Sequence, residues 1–161
     1  MSRIVDPAFY HSLVAEDELG VVVRAHIHIE ASILDFLHAR VQKPKLLPRL
    51  PYEARLRLAC ALGLNEEYFE CLKALGDLRN HFGHNLSATI SGAKANELYT
   101  KLPPFAKDVT LATYAKTVVQ HDDMPSFEGL SPKDRFVFIA LVLKMFALNS
   151  AVEAKENTGD T

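Results

Sequence analysis

Apolar residues recur every three or four positions through most of this chain, and short polar or proline-bearing stretches interrupt them. That rhythm predicts helices. Asp6-Pro7 is a helix start, with the acid as cap and the proline in the first turn, and the helix ends near Val14. Glu16, Asp17 and Glu18 place negative charge at the start of a longer helix that runs to about Val41. Two apolar stripes follow it: Val22, Ile29, Ile33 and Phe36, then Val23, Ile27, Leu34, Leu37 and Val41. Such a width predicts a central helix packed on more than one neighbour. Residues 42–51 hold Pro44, Pro48 and Pro51 and read as an irregular connector.

Pro51 opens a helix that Gly63 closes, with Leu64 supplying the apolar contact of a left-handed cap. Asn65 caps the next helix, over 65–82, whose first turn carries Glu66 and Glu67. Ser91 caps a helix from Gly92 to Leu102, ended by Pro103 and Pro104. Residues 109–119 are rich in β-branched side chains, and periodicity does not separate helix from strand there; the helical surroundings favour helix. Ser131-Pro132 starts the last helix, which runs to about Ala154. It is apolar almost all round from Phe136 to Leu148, so it is either the core of one chain or an interface between two. The expected fold is an all-α bundle of six or seven helices in one domain, residues 1–154, with a frayed polar tail at 155–161.

Composition narrows the function classes. With 161 residues, 48% hydrophobic and 24% charged, the chain suits one domain with a real core. A net charge of −2 argues against a general nucleic-acid binder. The longest uninterrupted apolar run, Phe136 to Leu143, falls short of the ~18 residues of a membrane span. Met1 to Pro7 carries no cationic run ahead of an apolar core, so no signal peptide and a cytoplasmic location are expected. Cys60 and Cys71, each on an apolar-periodic helix, read as reduced thiols. No zinc-finger spacing and no cofactor motif are seen.

The chemistry concentrates between Leu75 and Leu86. If the helix passes through Gly83, Asn80 and His84 lie four apart on one face with Arg79 beside them. An arginine neutralises a phosphate, and a histidine takes a proton from a ribose hydroxyl. The same residues also serve as a helix cap and a structural ion pair, Arg79 with Asp77 or another acid. Glu30 falls among apolar positions and needs a mate; His26 is the local one and Arg79 the tertiary one, and an orienting carboxylate is the alternative. His26, Glu30, His81 and His84 contain metal-ligating types without a spacing that fixes a site, and His121, Asp122 and Asp123 form a weak metal candidate in a polar turn. Arg40, Lys43, Lys45, Arg49, Arg55 and Arg57 stand against Glu53 alone, a local charge of +5. Such a segment steers RNA or an acidic protein, or is a solvated face.

Arg79-Asn80, three residues, then His84 resembles the signature of the HEPN superfamily (higher eukaryotes and prokaryotes nucleotide-binding), an all-helical group with many metal-independent ribonucleases. The wider pattern, Leu56, Leu58, Ala59, Ala61 to Leu64, then Leu72, Leu75, Leu78 to Asn80, Phe82 and His84, resembles the mannitol operon repressor family over roughly residues 17–86. That family usually has a small residue such as alanine before the histidine; Gly83 departs from it and is expected to loosen the helix and re-aim His84. The repressor resemblance implies a non-enzymatic regulator that binds another protein; an inhibitor or immunity-type binder would look the same. Direct DNA binding is not expected, because there is no helix-turn-helix with a basic recognition helix, and Glu66, Glu67, Glu70 and Asp77 repel phosphates. The HEPN resemblance implies the alternative: a metal-independent endoribonuclease, commonly a dimer, with His84 as base, Arg79 on the phosphate, Asn80 orienting them and the basic segment guiding RNA.

Overall fold

The polar residues that precede each apolar run act as caps. Asp6 Oδ1 accepts from the Phe9 N–H at 3.1 Å, Asp17 Oδ1 from Gly20 at 2.7 Å, Ser91 Oγ from Lys94 at 3.2 Å and Ser131 Oγ from Asp134 at 3.1 Å. They open four of the seven α-helices in a computed structural model that describes residues 6–118 and 125–158. The helices are α1 (Pro7–Val14), α2 (Glu18–Arg40), α3 (Tyr52–Ala61), α4 (Phe69–His84), α5 (Gly92–Lys101), α6 (Pro104–Val118) and α7 (Pro132–Glu156). Single 3₁₀ turns lie at Pro44–Leu46, Glu66–Tyr68 and Phe127–Gly129, and no strand occurs among the described residues. The chain is an all-α bundle.

Gly63 closes α3 at φ 105°. The Gly63 N–H donates to Cys60 O at 3.0 Å and the Leu64 N–H to Ala59 O at 2.9 Å, which satisfies carbonyls the helix would leave open. Asn65 caps the 3₁₀ turn, which passes directly into α4. The β-branched stretch after residue 109 is helical, and its helix starts earlier, at Pro104, because a proline is a good first residue as well as a terminator. His121, Asp122 and Asp123 lie outside the described residues, as does residue 119.

The core is built on α2 and α7. Lys133 Nζ donates to the carbonyl of Glu16, just before α2, and Lys155 reaches Asp35 at 3.4 Å further along. The two helices therefore run side by side in the same direction. α7 buries every residue from Phe136 to Leu143, and each large apolar side chain there is worth roughly 1.5–3 kcal/mol. That stretch is the core of the chain itself, resolving the alternative of an interface. By length and composition α7 is the one helix among the described residues able to cross a membrane, with a mean hydropathy of 1.8 over its most apolar window. Counting only the uninterrupted run missed this; here α7 packs against α1, α2, α5 and α6.

Two expectations change. The second stripe of α2 is packed only in part: Leu37 is buried, but Ile27 is 58% exposed and Val23, Leu34 and Val41 are half-buried, while Val21, Ala25, His26 and Ser32 are buried as well. The neighbouring helices cover one broad arc centred on Ala25, Ile29 and Phe36, and the far side faces solvent. The tail expected to fray from residue 155 is still helical to Glu156, tied down by the Lys155–Asp35 pair.

Gly76 sets the approach of α3 to α4. A methyl group there would sit 2.5 Å from Cδ1 and 2.6 Å from Cε1 of Tyr52, whose hydroxyl donates to Leu72 O at 3.1 Å. At an open helix position, alanine in place of glycine gains about 1 kcal/mol. Overpacking against a seated ring costs about 1–3 kcal/mol. Gly76→Ala is therefore expected to lower the urea midpoint, and a raised midpoint would show that the ring moves aside freely.

Candidate functional site

α4 carries the arginine, asparagine and histidine on a continuous helix. It runs through Gly83 to His84 without a break, and a Cβ at Gly83 would meet nothing within 4 Å. The expected loosening at Gly83 does not occur: its φ is not positive, and helix hydrogen bonding carries across it. Arg79, Asn80 and His84 are all exposed. Arg79 Nη1 donates to Asn80 Oδ1 at 3.2 Å, so the asparagine orients the guanidinium. No hydrogen bond or ion pair among the described residues holds the His84 imidazole, which stands with His81 in the last turn of the helix. The loop beyond is held from a distance: Glu18 Oε2, at the start of α2, accepts from the Ile90 N–H at 2.7 Å.

Behind this surface lies a polar cluster between α2, α3 and α4. His26 is only 5% exposed and its ring lies 4.4 Å from that of Tyr52. His26 Nδ1 is 3.6 Å from Glu30 Oε2, and Arg55 Nη1 donates to Glu30 Oε1 at 2.5 Å. Arg55 is thus the tertiary mate of Glu30, and the expected Arg79–Glu30 pairing is replaced by the Arg79–Asn80 bond. Arg79 still acts on the cluster. Burial pushes the His26 pKa below its usual value; Glu30 opposes that shift, and the charges of Arg79 and Arg55 reinforce it. Burial likewise pushes the Tyr52 phenol up, which leaves its hydroxyl a pure hydrogen-bond donor to α4. Sequence reasoning passed over Tyr52 altogether. Its only signal was a glycine, Gly76, inside an otherwise regular helix.

The basic segment does not act as one surface. Arg55 is spent on Glu30, and Arg57 pairs with Glu53 at 2.7 Å while lying over Phe69. Arg40 lies 5.4 Å over the Phe36 ring. Lys43, Lys45 and Arg49 remain exposed on the connector. The local charge of +5 counted only acids within the segment, and Glu30 comes from another helix. Among the described residues no three histidine, cysteine or acidic side chains converge as metal ligands. His26 and Glu30 belong to the inner cluster, and His81 and His84 to the exposed end of α4. Cys60 and Cys71 are free thiols, and burial pushes Cys71 up to about 12, far from thiolate reactivity. None of the described cavities is lined by Arg79, Asn80 or His84.

Compared with protein-family models, curated proteins and solved structures, the chain matches none.

Two outcomes follow from the cluster. A half-buried pair that loses one partner strands a carboxylate, whereas a solvated arginine contributes almost nothing. Arg55→Ala is expected to destabilise the fold by at least about 1 kcal/mol more than Arg49→Ala in chemical denaturation; equal effects would return Arg55 to the solvated surface. A histidine whose folded pKa lies below its unfolded value of 6.5 binds its proton more readily when unfolded. Its contribution is whole above that value and is lost as the pH falls through it. Melting temperature is therefore expected to drop between about pH 7.5 and pH 5.5, less steeply in His26→Gln; His28, also shifted down by burial, accounts for a remaining slope. An unchanged slope in the variant would remove His26 as its source.

Proposed function

We propose that this protein is a non-enzymatic regulator that acts by binding another protein, and that the C-terminal end of α4 is the contact. The observation that carries this reading is the openness of that end. Arg79, Asn80, His81 and His84 point outward from a convex helix, and Leu86, two residues beyond, is fully exposed. A solvent-exposed leucine just after a helix end that carries an arginine and two imidazoles offers an apolar anchor next to hydrogen-bond donors. Such a surface suits a partner that presents carboxylates. A catalytic site needs the opposite shape, a recess that excludes water and holds a substrate against both the base and the cation. The likeness to the mannitol operon repressor family adds support, since it too implies a regulator working through a partner. Among the described residues no helix offers a basic recognition surface for DNA; Glu70 and Asp77 lie on α4 itself.

One observation favours a second reading, a HEPN-type metal-independent endoribonuclease. Asn80 holds Arg79, while His84 has no partner among the described residues, which leaves its imidazole free for proton transfer. On this reading a second copy of the chain supplies the missing wall of the cleft.

The readings separate in two assays. Purified protein incubated with a mixed labelled RNA pool in EDTA is expected to leave it intact; cleavage by the wild type that disappears in His84→Ala would install the ribonuclease reading. In capture from cells that express the protein, a partner held by the wild type is expected to be lost by Leu86→Asp and by Arg79→Glu. Retention by both variants would take the contact away from this face.

A further inference from the structure

At the other end of α2 the bundle leaves a cavity of about 340 Å³, within the range of roughly 300–1,000 Å³ typical of ligand pockets. Its floor is aromatic. Phe36 is 2% exposed, and the rings of Tyr68 and Phe146 lie parallel with centroids 3.5 Å apart. Phe105, at the start of α6, forms one wall and is 71% exposed, a large apolar surface that none of the described residues covers. The opening is set by backbone: Gly63 caps α3 at φ 105°, and no atom lies within 4 Å of where its Cβ would be. A side chain there is strained, so the turn does not grow into the cavity.

The polar lining is what gives the cavity a preference. Arg40 and Glu153 both line it, and among the described residues neither forms an ion pair, with the other or with anything else. The guanidinium of Arg40 lies over the Phe36 ring, at the aromatic floor. Asn65, Asn149 and Ser150 add amides and a hydroxyl. A ligand with only a negative charge would leave Glu153 against it, and one with only a positive charge would meet Arg40. A molecule that carries both charges on a short stem, with a flat apolar group, satisfies the whole lining.

We propose that this cavity binds a small zwitterion with an aromatic side chain, a free aromatic amino acid. Its carboxylate pairs with Arg40, its ammonium with Glu153, and its ring lies against Phe105 and Phe146. The site is independent of the α4 surface described above, which lies on other residues altogether.

The test uses the full chain in calorimetric titrations with phenylalanine, phenylpropionate and phenethylamine, the last two each lacking one of the charges. Phenylalanine is expected to bind saturably, and each truncated analogue about tenfold more weakly, the loss of one charged hydrogen-bonded contact. Arg40→Gln is expected to weaken phenylalanine about tenfold and not to weaken phenethylamine, whose ammonium no longer meets the guanidinium. Glu153→Gln is expected to weaken phenylalanine equally and not to weaken phenylpropionate, whose carboxylate no longer faces Glu153. Both charges are exposed, and unchanged circular dichroism confirms that the variants fold. No saturable binding of phenylalanine up to millimolar concentration overturns the proposal. So does equal binding of all three compounds, or binding that neither substitution alters.

Discussion

The parallel packing of α2 on α7 is the constraint on which everything else depends. Eight successive buried residues, Phe136 to Leu143, leave α7 no solvent face over two turns, so it is stable only inside a shell of other helices. α2 covers it most extensively, and α1, α5 and α6 close the remaining sides. The polar ties confirm the register rather than create it. Lys133 reaches the carbonyls before α2, Lys144 pairs with Asp6 at 2.8 Å across the Phe9 ring, and Lys155 meets Asp35. Exposed pairs of this kind each add a few tenths of a kcal/mol to about 1 kcal/mol, against several times that for the buried aromatics.

With α7 taken up on one side, α2 offers its other side to α3 and α4, and there the interior turns polar. His26, Glu30, Tyr52 and Arg55 lie together: the Glu30 carboxylate accepts from Arg55 and stands 3.6 Å from the His26 imidazole, which lies against the Tyr52 ring, and the Tyr52 phenol donates to a carbonyl of α4. Partly buried groups of this kind are costly when unpaired and directional when paired. The Tyr52 bond to Leu72 O ties α4 to α3, and the burial of Leu72, Leu75, Leu78 and Phe82 turns Arg79, Asn80 and His84 outward. Arg79 also brings its charge close enough to disfavour a proton on His26, so the outer face and the inner cluster sense each other electrostatically.

Much of this was legible in the sequence. Helix starts were readable from Asp6, Asp17, Ser91 and Ser131, and the Gly63 cap from its position after an apolar run, because capping is a contact between residues two to five apart. The all-helical class followed from periodicity except through the β-branched stretch of α6, where only the helical surroundings favoured helix. The placement of Asn80 and His84 on one helical face was readable too, being a matter of local geometry. Less was legible about width and partners. Periodicity showed that α2 has apolar residues on two sides, yet Ile27 is in solvent and His26 is buried; the pattern records which residues tolerate burial, and only the neighbours decide which are covered.

What the sequence by itself determined, then, is local: the helical periodicity outside the β-branched stretch of α6, the caps, and the spacing of Arg79, Asn80 and His84. What only the tertiary structure decided is every choice between distant partners. Arg55 takes Glu30 across 25 positions, Tyr52 lies against Gly76, and Arg40 and Glu153 come to line one cavity from helices at opposite ends of the chain. The reason is physical. A cap or a helical face is set by a few bond rotations, whereas a charge finds its mate through the packing of whole helices, and that depends on the shape of the buried surfaces between them.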